Sequence, residues 1–165
     1  MRLLLCRHAE AVDSSEDLSD ENRWLTKHGR QQARDVGNAL RKHGVKLDRI
    51  FTSPLVRAVQ TADLLSEELR FSHEIAVMGP LAPGGRLSAV LARLEQEAAS
   101  EESVAIVGHE PQMGDWGAKL LGRPGFDRAF KKGAVLCLEW KDWPEVGSAQ
   151  GVFYLTPKTL VLEPV

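Results

Sequence analysis

Arg7, His8, Arg57 and His109 are the residues of this chain whose types, taken together, can handle a phosphoryl group. A guanidinium bonds two oxygens at once and keeps its charge near neutral pH. An imidazole can attack phosphorus when one ring nitrogen is unprotonated and a hydrogen bond holds the other. A second imidazole, protonated or donating, can stabilise the equatorial charge as transfer proceeds. Phosphoryl transfer asks for little else, because its catalysis is mainly positioning and neutralisation of charge. Singly, each residue also has an ordinary reading, as a structural histidine at a strand end or a solvated arginine. Arg57 in the first turn of a helix stands against the helix dipole, which favours an anion in front of it. On these residues alone the reading is an anion-binding site, catalytic or not.

The surrounding elements must bring these residues together. Leu3–Cys6 is a wholly apolar run, as expected of a strand covered on both faces, and Arg7-His8 follows it. Glu10 to Arg23 is polar and aperiodic and reads as an exposed loop. Thr26 can cap a helix over about 27–43 that stops at Gly44. Arg49–Thr52 is a second buried strand; Ser53-Pro54 offers a hydroxyl cap and a proline for a helix carrying Leu55, Ala58, Val59, Ala62, Leu65 and Leu69. A third strand over 74–78, a loop over 79–85 and a helix marked by Leu87, Val90, Leu91 and Leu94 come next. Val104–Val107 is a fourth buried strand, Gly108-His109-Glu110-Pro111 ends it, and a helix over about 112–121 follows. The last third reads as strands over 134–140, 151–156 and 160–162.

Strands alternating with helices imply parallel pairing with right-handed crossovers. The expected fold is therefore an α/β three-layer sandwich: a mostly parallel central sheet flanked by helices, with antiparallel edge strands from the C-terminal third. Ligands of such sheets sit beyond the carboxyl ends of the strands. Arg7-His8, Ser53-Pro54 with Arg57, and Gly108-His109 all stand at such ends.

Bulk properties narrow the classes. A chain of 165 residues with 43% hydrophobic and 27% charged residues suits one soluble domain over 1–165. A net charge of −2 gives no global reason to expect nucleic acid or an anionic membrane, so any anion site is local. The apolar run before Arg7 is too short for a signal peptide and nothing reaches membrane-spanning length, so the cytoplasm is expected. Cys6 and Cys137 read as buried reduced thiols, and His28, His43 and His73 lack ligand spacing. No metal and no cofactor is expected. A monomer is favoured.

Four ordered blocks carry a resemblance. Leu5-Cys6-Arg7-His8-Ala9-Glu10 resembles the signature of the histidine phosphatase (phosphoglycerate mutase-like) superfamily. Leu25-Thr26-Lys27-His28-Gly29 is similar to its Leu-Thr-x-x-Gly turn, residues 52–62 to its second block, and Val107–Pro111 to the segment with the second histidine. The resemblance implies a metal-independent phosphatase in which His8 is the transiently phosphorylated nucleophile and Arg7, Arg57 and His109 form the phosphate pocket. Arg23, in the polar loop, is a further substrate-binding candidate.

One departure bears on substrate. Many members place a carboxylate after the third strand to protonate the leaving alkoxide; residues 78–86 here contain none. That absence and the short chain resemble the SixA-type protein phosphohistidine phosphatases. An imidazole leaves as a neutral ring and needs less acid help than an alkoxide. The expected partner is a phosphohistidine-bearing signalling or phosphocarrier protein. The alternatives are a phosphatase of a small phosphorylated metabolite or nucleotide, and, in another class, a non-catalytic phosphate-binding or interaction module. Glu10, Asp13 and Glu110 are the carboxylates considered for the leaving group.

Overall fold

A computed structural model describes residues 1–124 and 130–165. Among them, seven strands form one sheet: β1 (Arg2–Arg7), β2 (Arg49–Thr52), β3 (Ile75–Val77), β4 (Ser103–Gly108), β5 (Val135–Glu139), β6 (Gln150–Leu155) and β7 (Glu163–Pro164). Their order is β3-β2-β4-β1-β5-β6-β7. β3, β2, β4 and β1 run parallel, and β5, β6 and β7 add antiparallel pairings beyond β1. The helices are α1 (Lys27–Lys42), α2 (Val56–Leu69), α3 (Leu87–Ala98) and α4 (Gln112–Leu121). This is the α/β sandwich expected from the sequence.

Strand periodicity divides the core in two. Leu3 and Leu5 of β1, with Ile106 of β4, pack against Val90 and Leu94 of α3 and Met113 and Leu120 of α4. Leu4 and Cys6, with Ala105 and Val107, pack on the other face against Val36 and Leu40 of α1 and Ala58, Ala62 and Leu65 of α2. Successive strand residues thus serve opposite layers, which is why β1 and β4 read as unbroken apolar runs. Each fully buried leucine contributes about 2 kcal/mol of transfer free energy. Cys6 and Cys137 are buried free thiols in the α1–α2 layer.

The two layers fix where a ligand can bind. The chain leaves β1 toward α1 on one face, whereas it leaves neighbouring β4 toward α4 on the other. The crevice between their carboxyl ends is the topological switch point of the sheet. Arg7 pairs with Gly108 across it, so the residues that follow, His8 and His109, meet there.

The C-terminal third departs from the expected strand positions. Residues 160–162 are not a strand: Leu160 N donates to Thr156 O at 3.0 Å and closes a turn. Leu160 and Leu162 pack instead against the α1–α2 layer. The last pairing begins later, with Glu163 opposite Tyr154 and Pro164 opposite Phe153.

Candidate active site

His8 is held from both sides of its ring. Its backbone N donates to Gly108 O (3.0 Å) and its O accepts from Gly133 N (3.0 Å). Its Nδ1 lies 2.7 Å from Ala9 O. A carbonyl only accepts, so Nδ1 carries the proton and Nε2 keeps its lone pair. Burial pushes the imidazole pKa down to about 3 against the upward pull of the Ala9 carbonyl, with smaller downward contributions from the charges of His109, Arg57 and Arg7. His8 is therefore neutral at physiological pH, with one defined tautomer and an unprotonated Nε2. Arg57 Nε donates to that nitrogen at 3.3 Å.

His109 faces His8, with ring centroids 5.1 Å apart and planes inclined by 53°. Its Nε2 lies 2.8 Å from Ser53 Oγ. Ser53 Oγ also accepts from Leu55 N (3.3 Å), so Ser53 braces the Nε2 edge of the ring. His109 Nδ1 is buried and has no protein partner among the described residues, which leaves it able to donate to an oxyanion when it carries the ring proton. Burial, then the charge of Arg57, lowers the His109 pKa to about 4, so this ring donates as a neutral group.

The guanidinium groups flank the histidines. Arg7 Nη1 donates to Phe130 O at 2.6 Å, while its Nε is buried without a partner among the described residues. A buried unpaired donor costs about 1–3 kcal/mol, and an oxyanion placed between Arg7 and His109 could accept from Arg7 Nε. Arg57, the second residue of α2, is buried. Besides His8, it donates through Nη1 to Asp20 O (2.5 Å) and through Nη2 to Asp20 Oδ2 (3.0 Å). The helix dipole that disfavours Arg57 is thus offset by a carboxylate from the polar loop.

Four of the expected residues, Arg7, His8, Arg57 and His109, come together. Arg23 reaches the group only through Asp20: its Nη1 donates to Asp20 Oδ1 (2.8 Å) and its Nε to Val12 O (2.6 Å). Among the carboxylates considered earlier, Glu10 accepts from Thr26 Oγ1 (2.7 Å) and Asp13 is exposed. Glu110 accepts from Gly114 N (3.4 Å) at the start of α4, and burial raises its pKa. Ser53 does not cap α2, whose cap is Leu55; it braces His109.

Sequence reasoning missed Asp20 and the braces beneath the site. Thr61 Oγ1 accepts from Ala9 N (3.1 Å) and donates to Arg57 O (2.7 Å), tying the residue after His8 to α2. Gln60 Oε1 accepts from Leu25 N (2.7 Å), and Gln32 Oε1 from Glu10 N (3.0 Å). Thr26 caps α1 through Gly29 N (2.9 Å), and a Cβ on Gly29 would overlap Glu10 O. The Leu-Thr-x-x-Gly turn is therefore a seat for the loop that leaves His8. Lys131 and Lys132 stand outside the group, with Lys131 N donating to Tyr154 Oη (3.2 Å). Among the described residues, no three His, Cys, Asp or Glu side chains stand together as metal ligands, and no helix is long and apolar enough to cross a membrane.

Sheet and site define an α/β protein with two arginines and two histidines gathered at its switch point. A model of the histidine phosphatase superfamily (branch 1) matches residues 3–78. An uncharacterized protein of Picosynechococcus sp. is 36% identical over 140 residues, 84% of each chain. The protein histidine phosphatase SixA, solved with tungstate, superposes with a TM-score of 0.84 at 27% identity over 98% of this chain and 100% of that one. The mitochondrial serine/threonine-protein phosphatase Pgam5 of Drosophila ananassae is 37% identical over 75 residues, and the chain spans 25% of its length. The chain belongs to the histidine phosphatase superfamily and, within it, is of the SixA type. That membership places it with hydrolases of the phosphatase class.

Proposed function

We propose that this chain, as one domain over 1–165, is a protein phosphohistidine phosphatase that works through phospho-His8. The observation that carries the reading is the His8 tautomer. Nδ1–H is fixed on Ala9 O, and Nε2 is unprotonated beside Arg57. An imidazole so prepared is a nucleophile at neutral pH without prior loss of a proton. Arg7, Arg57 and, in the tautomer with its proton on Nδ1, His109 supply donors for the three nonbridging oxygens. The likeness to SixA supports the substrate class, as does the absence of a carboxylate in residues 78–86.

The first step breaks the P–N bond of the substrate and forms one to His8 Nε2. The electron pair returns to the substrate ring, which enters protonated on its distal nitrogen and so leaves as neutral imidazole, while His8 takes up the positive charge. Water then attacks phosphorus, and dihydrogen phosphate departs as the His8 ring regains its lone pair. No net proton is gained or lost across the two steps. The Ala9 carbonyl stays on Nδ1–H throughout and stabilises the cationic intermediate.

The test is brief incubation with a phosphohistidine protein and, separately, with simple phosphate monoesters, followed by detection of acid-labile phosphate on the enzyme. Wild type should prefer the phosphohistidine protein and trap label, while His8→Ala should trap none and lose at least about 10³-fold in turnover. Equal dephosphorylation by wild type and His8→Ala overturns the mechanism. A marked preference for monoesters overturns the substrate.

A further inference from the structure

Asp20 occupies an unusual place for a loop carboxylate. Arg57 is almost wholly buried, with a side chain 5% exposed, whereas that of Asp20 is 53% exposed. The carboxylate therefore covers the solvent side of the arginine whose Nε touches His8 Nε2. Its hold is built rather than incidental. The Asp20 carbonyl takes Arg57 Nη1, one carboxylate oxygen takes Nη2, and the other takes Arg23 Nη1. Arg23 is itself pinned to Val12 O at the base of the loop.

A phosphoryl group attacked by His8 Nε2 carries its leaving group on the side away from that nitrogen, and Arg57 spans from His8 Nε2 to the half-exposed Asp20. The hydrogen bond from Arg23, with those and the charge of Arg57 after it, holds the Asp20 carboxyl below its ordinary pKa. Asp20 is thus anionic at neutral pH and has no proton to give an alkoxide. An anion can, however, accept a hydrogen bond from a cationic leaving group and repel an anionic one. The two nitrogens of a phosphorylated imidazole differ in this respect: one bears phosphorus, and the other, when protonated, presents N–H and positive charge away from it.

We infer that Asp20 is a specificity-determining residue whose carboxylate accepts the N–H of a protonated phosphoimidazole and discriminates against phosphate esters that carry their own carboxylate. The inference rests on the phosphohistidine reading above and names the group that selects for it. The chemistry closes without another reactant. With its distal nitrogen protonated, the substrate ring is already positive; as the P–N bond breaks, the electron pair neutralises it, and the ring leaves with the proton it brought. Asp20 favours the protonated form that makes this departure easy and changes no covalent bond of its own.

The experiment measures kcat/KM of wild type, Asp20→Asn and Asp20→Glu on phosphoimidazole and on phosphoglycolate, probes too small to depend on protein docking. A charge-assisted hydrogen bond to the leaving group predicts that Asp20→Asn lowers the phosphoimidazole-to-phosphoglycolate ratio by at least about tenfold, with part of it regained in Asp20→Glu. Equal losses on both probes overturn the inference, because Asp20 would then serve only to hold Arg57. So does an unchanged ratio. If wild type itself turns over phosphoglycolate but neither phosphoimidazole nor a phosphohistidine protein, the parent reading fails and the inference falls with it. That outcome is visible before any variant is made.

Discussion

Two walls of one pocket are built in opposite ways. The inner wall, His8, His109 and Ser53, grows from strand ends and is buried, each side chain fixed by backbone or by a buried partner. The outer wall, Asp20 and Arg23, comes from an irregular stretch with one 3-10 turn at Asp20–Asn22, and its carboxylate is half exposed. Arg57 joins them, touching His8 on one side and Asp20 on the other. The inner wall sets the protonation state and aim of the nucleophile through desolvation and fixed hydrogen bonds. The outer wall works through charges in water, where interactions are weaker and screened. Under the proposed function, reaction geometry falls to the first wall and substrate choice to the second.

Breaking the joint should have the largest effect. Arg57→Ala removes a donor to the phosphoryl group and the anchor of the outer wall together. Loss of one preorganised donor in a dry site costs about 10²–10³ in kcat, and steady-state kinetics on the phosphohistidine protein measures it. Arg57→Lys should recover little, because an ammonium cannot span His8 and Asp20 at once. Recovery to near wild type would show that charge alone suffices there and that the two walls are independent.

Acid should weaken the inner wall. Both imidazoles titrate below the unfolded value of about 6.5, at about 3 for His8 and about 4 for His109. The native state then binds fewer protons than the unfolded chain between those values, so the contribution is intact above pH about 6.5 and is lost as pH falls toward the folded pKa. At a pH near 5 each buried ring should cost about 2 kcal/mol relative to neutrality. Urea melts at pH about 7 and 5 test this, and a His8→Asn, His109→Asn double variant should show a visibly flatter dependence. An equally steep fall in the double variant would assign acid sensitivity elsewhere.

A smaller loss tests the brace. Ser53→Ala removes the hydroxyl hydrogen-bonded to His109 Nε2 and so frees the ring to change tautomer or orientation. One neutral hydrogen bond is worth about 1 kcal/mol, so kcat should fall about five- to tenfold with KM little changed. A loss confined to KM would mean that Ser53 meets substrate rather than orienting His109.

The same division explains what the sequence disclosed. β1 and β4 were legible because double-sided burial demands unbroken apolar runs, and His8 and His109 because each stands one residue beyond such a run. Thr26 carried a local signal as a hydroxyl cap, whereas Gly29 was marked only by the resemblance, since its close approach to Glu10 O is a tertiary contact. Asp20 carried none: among the acidic residues between Glu10 and Arg23 nothing local distinguishes it, and its role exists only where α2 presents Arg57 to it. Thr61 and Gln60 were hidden differently, since helix periodicity marks their positions but not their long-range hydrogen bonds. Leu160 and Leu162 misled because apolar alternation also fits a turn folded onto a helix layer.

Arg23 gives the smallest expected effect and separates the two walls most finely. It holds Asp20 by an ion pair whose side chains are 18% and 53% exposed, and partly exposed pairs contribute about 0–1 kcal/mol. Arg23→Ala should therefore lower kcat/KM on the phosphohistidine protein by no more than about fivefold. The difference from wild type should shrink as salt rises, because screening weakens the pair in wild type while the variant has none to lose. Asp20 would keep its two bonds to Arg57 throughout, so the His8 reaction should retain its rate at saturating substrate. A loss of about 100-fold that persists in high salt would instead mean that Arg23 itself binds the phosphoryl group. The outer wall would then belong to the phosphate pocket, and the division between geometry and selection would have to be redrawn one residue further out.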